Sequence, residues 1–142
     1  LANLHGLISR LAVTARTRIP LTMFVPLATM RDYIYVDDAS NLALHWMKLS
    51  QEPANIRVVA SGQPTSLGQL ISLMEKITHS RLPIAYGFHS SATQQATDLR
   101  LIPDMDQESS RWPLMPLPAG AKLVYQDILS RAQLGGSATR MG

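Results

Sequence analysis

Apolar side chains recur along this chain at two spacings, and the alternation between them predicts its elements. Leu4, Leu7, Ile8, Leu11, Ala12 and Ala15 line one face of a helix over residues 4–16, while Arg10 and Arg16 fall off that stripe. Ile19-Pro20 stops the helix, because a residue before proline avoids the α region. Short runs rich in β-branched or aromatic residues predict strands at 21–25, 33–36, 56–60 and 83–86. Asp37 or Asp38 is the expected cap of a second helix, whose apolar face is Ala39, Leu42, Ala43, Trp46 and Met47. Ser66 and Gln69 have the spacing of a capping box ahead of a third helix with Leu67, Leu70, Ile71, Met74 and Ile77 inside. Periodicity is lost from Gly87 to about Asp104, which reads as an exposed loop. A short helix capped by Asp104 is expected up to Arg111. Pro118 opens a last helix burying Ala121, Val124, Tyr125, Ile128 and Ala132. The order is α/β, with short strands alternating with amphipathic helices, in one unit over residues 1–134 and a flexible tail over 135–142.

Composition narrows the class. Apolar residues make up 46% and charged residues 16%, the balance of a chain that buries a core. No apolar run reaches the roughly 20 residues of a membrane span, and no secretory signal is seen. There is no cysteine, which removes disulfides and thiolate metal sites, and the cytoplasm is the expected location. The net charge is +3, and 10 of the 13 basic residues are arginine, a side chain suited to two-pronged contacts with phosphate. These arginines are scattered rather than set in a basic-aromatic module, so nucleic acid is not expected as a partner.

A search for chemistry finds mostly absences. Neither Gly-x-Gly-x-x-Gly nor a P-loop occurs, no tyrosine has a lysine four positions later, and no Gly-x-Ser-x-Gly elbow is present. His5, His45, His79 and His89 lack metal-ligand spacing, and no metal site is expected. His45, beside an apolar stripe, reads as a surface or half-packed residue rather than a catalytic one. Asp104 and Asp106 could form a carboxylate pair, yet Asp104 reads better as the cap of a short helix. No catalytic residue emerges.

The run Arg31-Asp32-Tyr33-Ile34-Tyr35-Val36-Asp37-Asp38, followed by an amphipathic helix, resembles a signature of the extended short-chain dehydrogenase/reductases, the NAD-dependent sugar epimerases and dehydratases. Pro20 to Phe24 is similar to the family's "Pro-Leu-x-Ile" strand upstream. Downstream, Ile56 to Gly62 resembles its "Tyr-Asn-Ile-Gly-x-Gly" strand, Thr65-Ser66-Leu67 opens the next helix, and Trp112 falls near "Leu-Gly-Trp". The resemblance covers about residues 3–130. It implies the C-terminal, substrate-side part of a Rossmann-like epimerase fold, without the N-terminal dinucleotide-binding half. It therefore implies no cofactor in this chain, NAD belonging to a full-length relative, and a truncated protein inactive as a catalyst on its own.

Three residues follow from the resemblance as substrate-binding candidates. Arg31 matches the arginine that reaches the diphosphate of a nucleotide-sugar; its structural alternative is an ion pair with Asp32 or Asp37. Asn3, in Asn3-Leu4, resembles a substrate-binding step of UDP-galactose epimerases. Gln95 stands where the family carries a second phosphate arginine, and a neutral amide cannot replace that charge. The expected partners are a nucleotide-sugar and either a second copy of the chain or the missing half. The alternative is a non-catalytic, dimerising interaction module that reuses the fold.

Overall fold

The computed structural model describes residues 6–49, 56–88 and 95–138. Its centre is built by three helices. Helix α1 (Leu7–Thr17) turns Leu11, Ala12 and Ala15 inward, as its spacing predicts. It ends at Arg18, whose left-handed backbone (φ 62°) is held by its N–H on the Thr14 carbonyl and by a guanidinium bonded to Ser80 Oγ and the Arg81 carbonyl. Strand β1 (Leu21–Met23) follows directly. After it come strand β2 (Met30–Arg31), helix α2 (Val36–Leu49), strand β3 (Thr65–Ser66) and helix α3 (Leu67–Thr78). Strand β4 (Ile84–Tyr86), a 3-10 turn (Ser109–Arg111) and helix α4 (Leu117–Ala138) complete the order.

Two small sheets frame the helices. β1 and β4 run parallel with Leu21 opposite Ile84, and β2 and β3 run antiparallel with Arg31 opposite Thr65. Leu11, Leu21, Met23, Leu67, Leu70, Met74, Ala121 and Ile128 form one core between α1, α3, α4 and the first sheet. The capping box is present as read: Ser66 Oγ accepts the Gln69 N–H at 3.2 Å and Gln69 Oε1 accepts the Ser66 N–H at 2.9 Å.

Several expectations need correction. Residues 33–36 form no strand, since β2 lies earlier and Val36 already begins α2. The aromatic residues there are used for packing: Tyr33 lies against the core, and Tyr35 closes on Gly120 of α4, where an added Cβ would sit 3.2 Å from its ring. Strand propensity reports fit to a half-buried surface, and here helices supply that surface. Residues 56–60 form no strand either, because no second strand lies beside them among the described residues. Asp37 and Asp38 lie inside the first turn of α2 rather than capping it; Asp38 instead accepts the Met115 N–H at 2.7 Å. The turn at 109–111 has Glu108 at its N-cap position, and Asp106 rather than Asp104 accepts the Ser109 N–H at 2.7 Å. Helix α4 continues through Gly135 and Gly136, where the sequence reading begins a tail.

Candidate functional site

Arg31 sits at the end of β2, and its guanidinium is held by carbonyls rather than by a carboxylate. One terminal nitrogen, Nη1, donates to the Met30 and Ala96 carbonyls, each at 2.8 Å. No ion pair to Asp32 or Asp37 forms among the described residues, so the structural alternative read from the sequence does not hold. A guanidinium carries five N–H donors. Those of Nη2 and Nε make no hydrogen bond to a described residue, which leaves a charged fork of the shape that suits two phosphate oxygens.

The loop that carries Gln95 reaches this arginine through backbone pairing. Met30 donates its N–H to the Thr97 carbonyl at 2.8 Å, and Leu99 donates to the Met30 carbonyl at 3.3 Å, so residues 97–99 run beside β2. As a result Arg31 and Gln95 line one cleft of about 400 Å³ together with Arg10, Asp32, Tyr33 and Phe24. The structure thus brings two of the three predicted site residues together. Asn3 lies outside the described residues.

Arg10 is the cleft residue that the sequence reading passes over. It lies one turn beyond Leu7 on α1, and Leu7 lines the same cleft; the periodicity marks Arg10 only as off the apolar stripe, and the fold is what brings it beside β2. With Arg10 the cleft has two guanidinium groups although Gln95 supplies no charge. Burial pushes the Tyr33 hydroxyl above its ordinary range, and the nearby Arg31 charge pulls in the opposite direction. Asp32, next to Arg31, spends one oxygen on the Ser61 N–H at 2.7 Å, tying β2 to the 56–61 segment.

A second polar cluster lies on α2. His45 is buried, its Nε2 2.8 Å from Asp106 Oδ2, and its ring meets Trp46 and Trp112 edge-on at 5.2 and 4.9 Å. Ser109 Oγ donates to Asp106 Oδ1 at 2.6 Å. A nucleophilic triad needs the histidine between serine and carboxylate. Here the carboxylate stands in the middle, so the serine proton rests on a carboxylate and not on an imidazole. The two bonds from Ser109, with His45 behind them, hold the Asp106 carboxyl well below the usual carboxylate range. The cluster fastens residues 106–112 to α2. Among the described residues, no group of three metal-ligating side chains is close enough to hold an ion.

Neither a protein-family model nor a curated protein sequence matches the chain. Solved structures do. The UDP-glucuronic acid 4-epimerase of Bacillus cereus, in a complex with UDP-4-deoxy-4-fluoro-glucuronic acid and NAD, superposes with a TM-score of 0.70 at 18% identity, over 89% of this chain and 40% of its own. The UDP-glucose 4-epimerase of Thermotoga maritima, with UDP-glucose, gives 0.68 at 20% identity over 88% and 38%. The GDP-mannoheptose C4 reductase of Campylobacter jejuni, with NADP bound, gives 0.52 at 14% over 84% and 41%. The chain therefore has the fold of part of these enzymes and spans about two-fifths of their length, consistent with the substrate-side part to which its sequence points.

Proposed function

We propose that the cleft binds the diphosphate of a nucleotide-sugar, with Arg31 as the main phosphate contact and Arg10 as a second cation, in a substrate-side unit that does not catalyse a reaction by itself. The observation that supports this most is the posture of Arg31. Two carbonyls fix one end of its guanidinium in a cleft that also holds Arg10, Asp32 and Gln95, and among the described residues no carboxylate forms an ion pair with it. A pre-positioned, unpaired guanidinium is what anion recognition requires.

The residues present do not fit a dinucleotide. A pyrophosphate needs a glycine-rich strand-to-helix turn that opens a helix N-terminus to it. The two described strand-to-helix steps are Asp32–Tyr35 ahead of α2 and the direct passage from β3 to α3, and neither step contains a glycine. No part of the proposed role runs through NAD.

Calorimetric titration tests the reading. UDP-glucose and GDP-mannose are expected to bind the chain, and Arg31→Ala is expected to weaken binding about tenfold to a hundredfold, as for a lost hydrogen bond to a charged group. Heat of binding that is absent in wild type, or unchanged in Arg31→Ala, overturns it. A second reading, a non-catalytic interaction module, has one observation in its favour: the helical stripe of α2 that the sequence marks as apolar is largely open, with Met47 74% exposed.

A further inference from the structure

Where α1 and α3 end, three cations and a histidine gather around one turn of chain. Arg18, which closes α1, donates through Nη1 to Ser80 Oγ and, at 2.7 Å, to the Arg81 carbonyl. His79 closes α3 in a left-handed conformation, and Lys76 lies in the last turn before it. Lys76, His79 and Arg81 line a groove of about 480 Å³ together with Ser72, Glu75 and Ser80. It shares no lining residue with the Arg31 cleft.

The two ordinary uses for such charges are already filled. Cations near a helix C-terminus commonly serve its open carbonyls. Here amides do so: the Arg18 N–H bonds to the Thr14 carbonyl at 2.9 Å, and the His79 and Ser80 N–H groups bond to the Glu75 carbonyl. Among the described residues, neither Lys76 nor Arg81 hydrogen-bonds to a helix carbonyl. The other use is pairing with a carboxylate. Glu75 is the one acidic residue of the groove, and both its oxygens are taken, Oε1 by the Leu82 N–H at 3.0 Å and Oε2 by Arg81 at 3.1 Å. The Lys76 ammonium and the Nε and Nη2 groups of Arg18 make no hydrogen bond or ion pair to a described residue. Arg18, Lys76 and Arg81 against Glu75 leave an excess of two positive charges, before any charge on His79.

We propose that this groove binds a phosphate group carrying two negative charges, as inorganic phosphate or as the monoester end of a small metabolite. Arg18 is the anchor, since Ser80 and the Arg81 carbonyl hold one end of its guanidinium and leave a fork free for two phosphate oxygens. Lys76 adds a point charge from the α3 side. The Ser72 and Ser80 hydroxyls supply neutral partners for the remaining oxygens. Arg81 is 90% exposed, so water and salt screen the site, and a dissociation constant of about 1 mM is expected. The proposal is separate from ligand binding at Arg31 and does not depend on it.

The test titrates inorganic phosphate, and separately glucose 1-phosphate, into the 142-residue chain at about pH 8, replacing chloride at constant ionic strength. Amide resonances report the site. Saturable shifts are expected at the Ser80 and Arg81 amides. Arg18→Gln should weaken binding about tenfold or more, as for a lost bond to a charged group, and Lys76→Gln about threefold, as for an exposed charge pair. Arg31→Ala should leave the Ser80 and Arg81 shifts as in wild type. Lys76 is exposed, so its variant folds as wild type does, and the undisturbed amide spectrum checks this for both variants. Equal affinities mean that the phosphate alone is read, and a tighter ester extends the site to the attached group. Shifts that rise without saturating, or saturable shifts indifferent to both substitutions, overturn the proposal.

Discussion

Around α1, α3 and α4 the chain buries Leu11, Leu70 and Met74 completely, whereas α2 buries only Leu42 and His45. The second region is held in another way. Four aspartates each accept one backbone N–H: Asp32 from Ser61, Asp38 from Met115, Asp104 from Val58 and Asp106 from Ser109. Apolar burial is non-directional and scales with area, so the three-helix core forms as a unit. Carboxylate-to-amide bonds are directional and local. They fix where a segment lies without burying much of it, which is how α2 and residues 56–61 can be positioned while their apolar surface stays uncovered.

The sharpest way to break that contrast is to cut a cavity in the core. Leu70→Ala, at a fully buried position, should cost about 2–5 kcal/mol in urea unfolding followed by far-ultraviolet circular dichroism. The tryptophan signal should be lost at the same lowered midpoint, because Trp46 and Trp112 belong to a region with little core of its own. A core variant that shifts the helical signal and spares the tryptophans would show that α2 is independently stable. A smaller effect is expected from Ser66→Ala, which removes half of the capping box at the start of α3. The cost should be about 1 kcal/mol in the same assay, with the two signals again moving together.

The same division explains what the sequence could show. Helical stripes in α1 and α3 and the Ser66–Gln69 box are local, set by residues three or four apart, and each stands where the sequence puts it. Strand assignments depend on what lies alongside, and the reading held at 21–25 and 83–86, which pair with each other, but failed at the two runs between them. Residues 33–36 gave way to helix packing, with Tyr35 seated on Gly120, and residues 56–60 have no partner strand among the described residues, Val58 bonding instead to Asp104. Asp104 and Asp106 are two residues apart, so sequence could not say which accepts the Ser109 N–H. The cleft was half legible. Arg31 and Gln95 were marked by resemblance and are joined through Met30, Ala96 and Thr97, but Arg10 enters from a distant helix and only the fold brings it in.

Acid should separate the two regions, with the least effect on global stability. The bonds from Ser109, supported by His45, depress the Asp106 pKa below its ordinary 3.8. Folding thus favours the ionised form, so the stabilisation is fully present above that ordinary value and is lost as pH falls below it toward the folded value. Lowering the pH from about 4 toward that depressed folded value should therefore progressively weaken the hold of α2 on residues 106–112 and change the fluorescence of Trp112, which packs on His45, before the helical signal falls. Asp106→Ala should show that released fluorescence already at neutral pH and respond little to further acid, while its urea midpoint by circular dichroism stays close to wild type. If the tryptophan and helical transitions coincide at every pH, and Asp106→Ala moves them together, then the aspartate ties and the apolar core are one cooperative unit, and the contrast between the two regions does not hold.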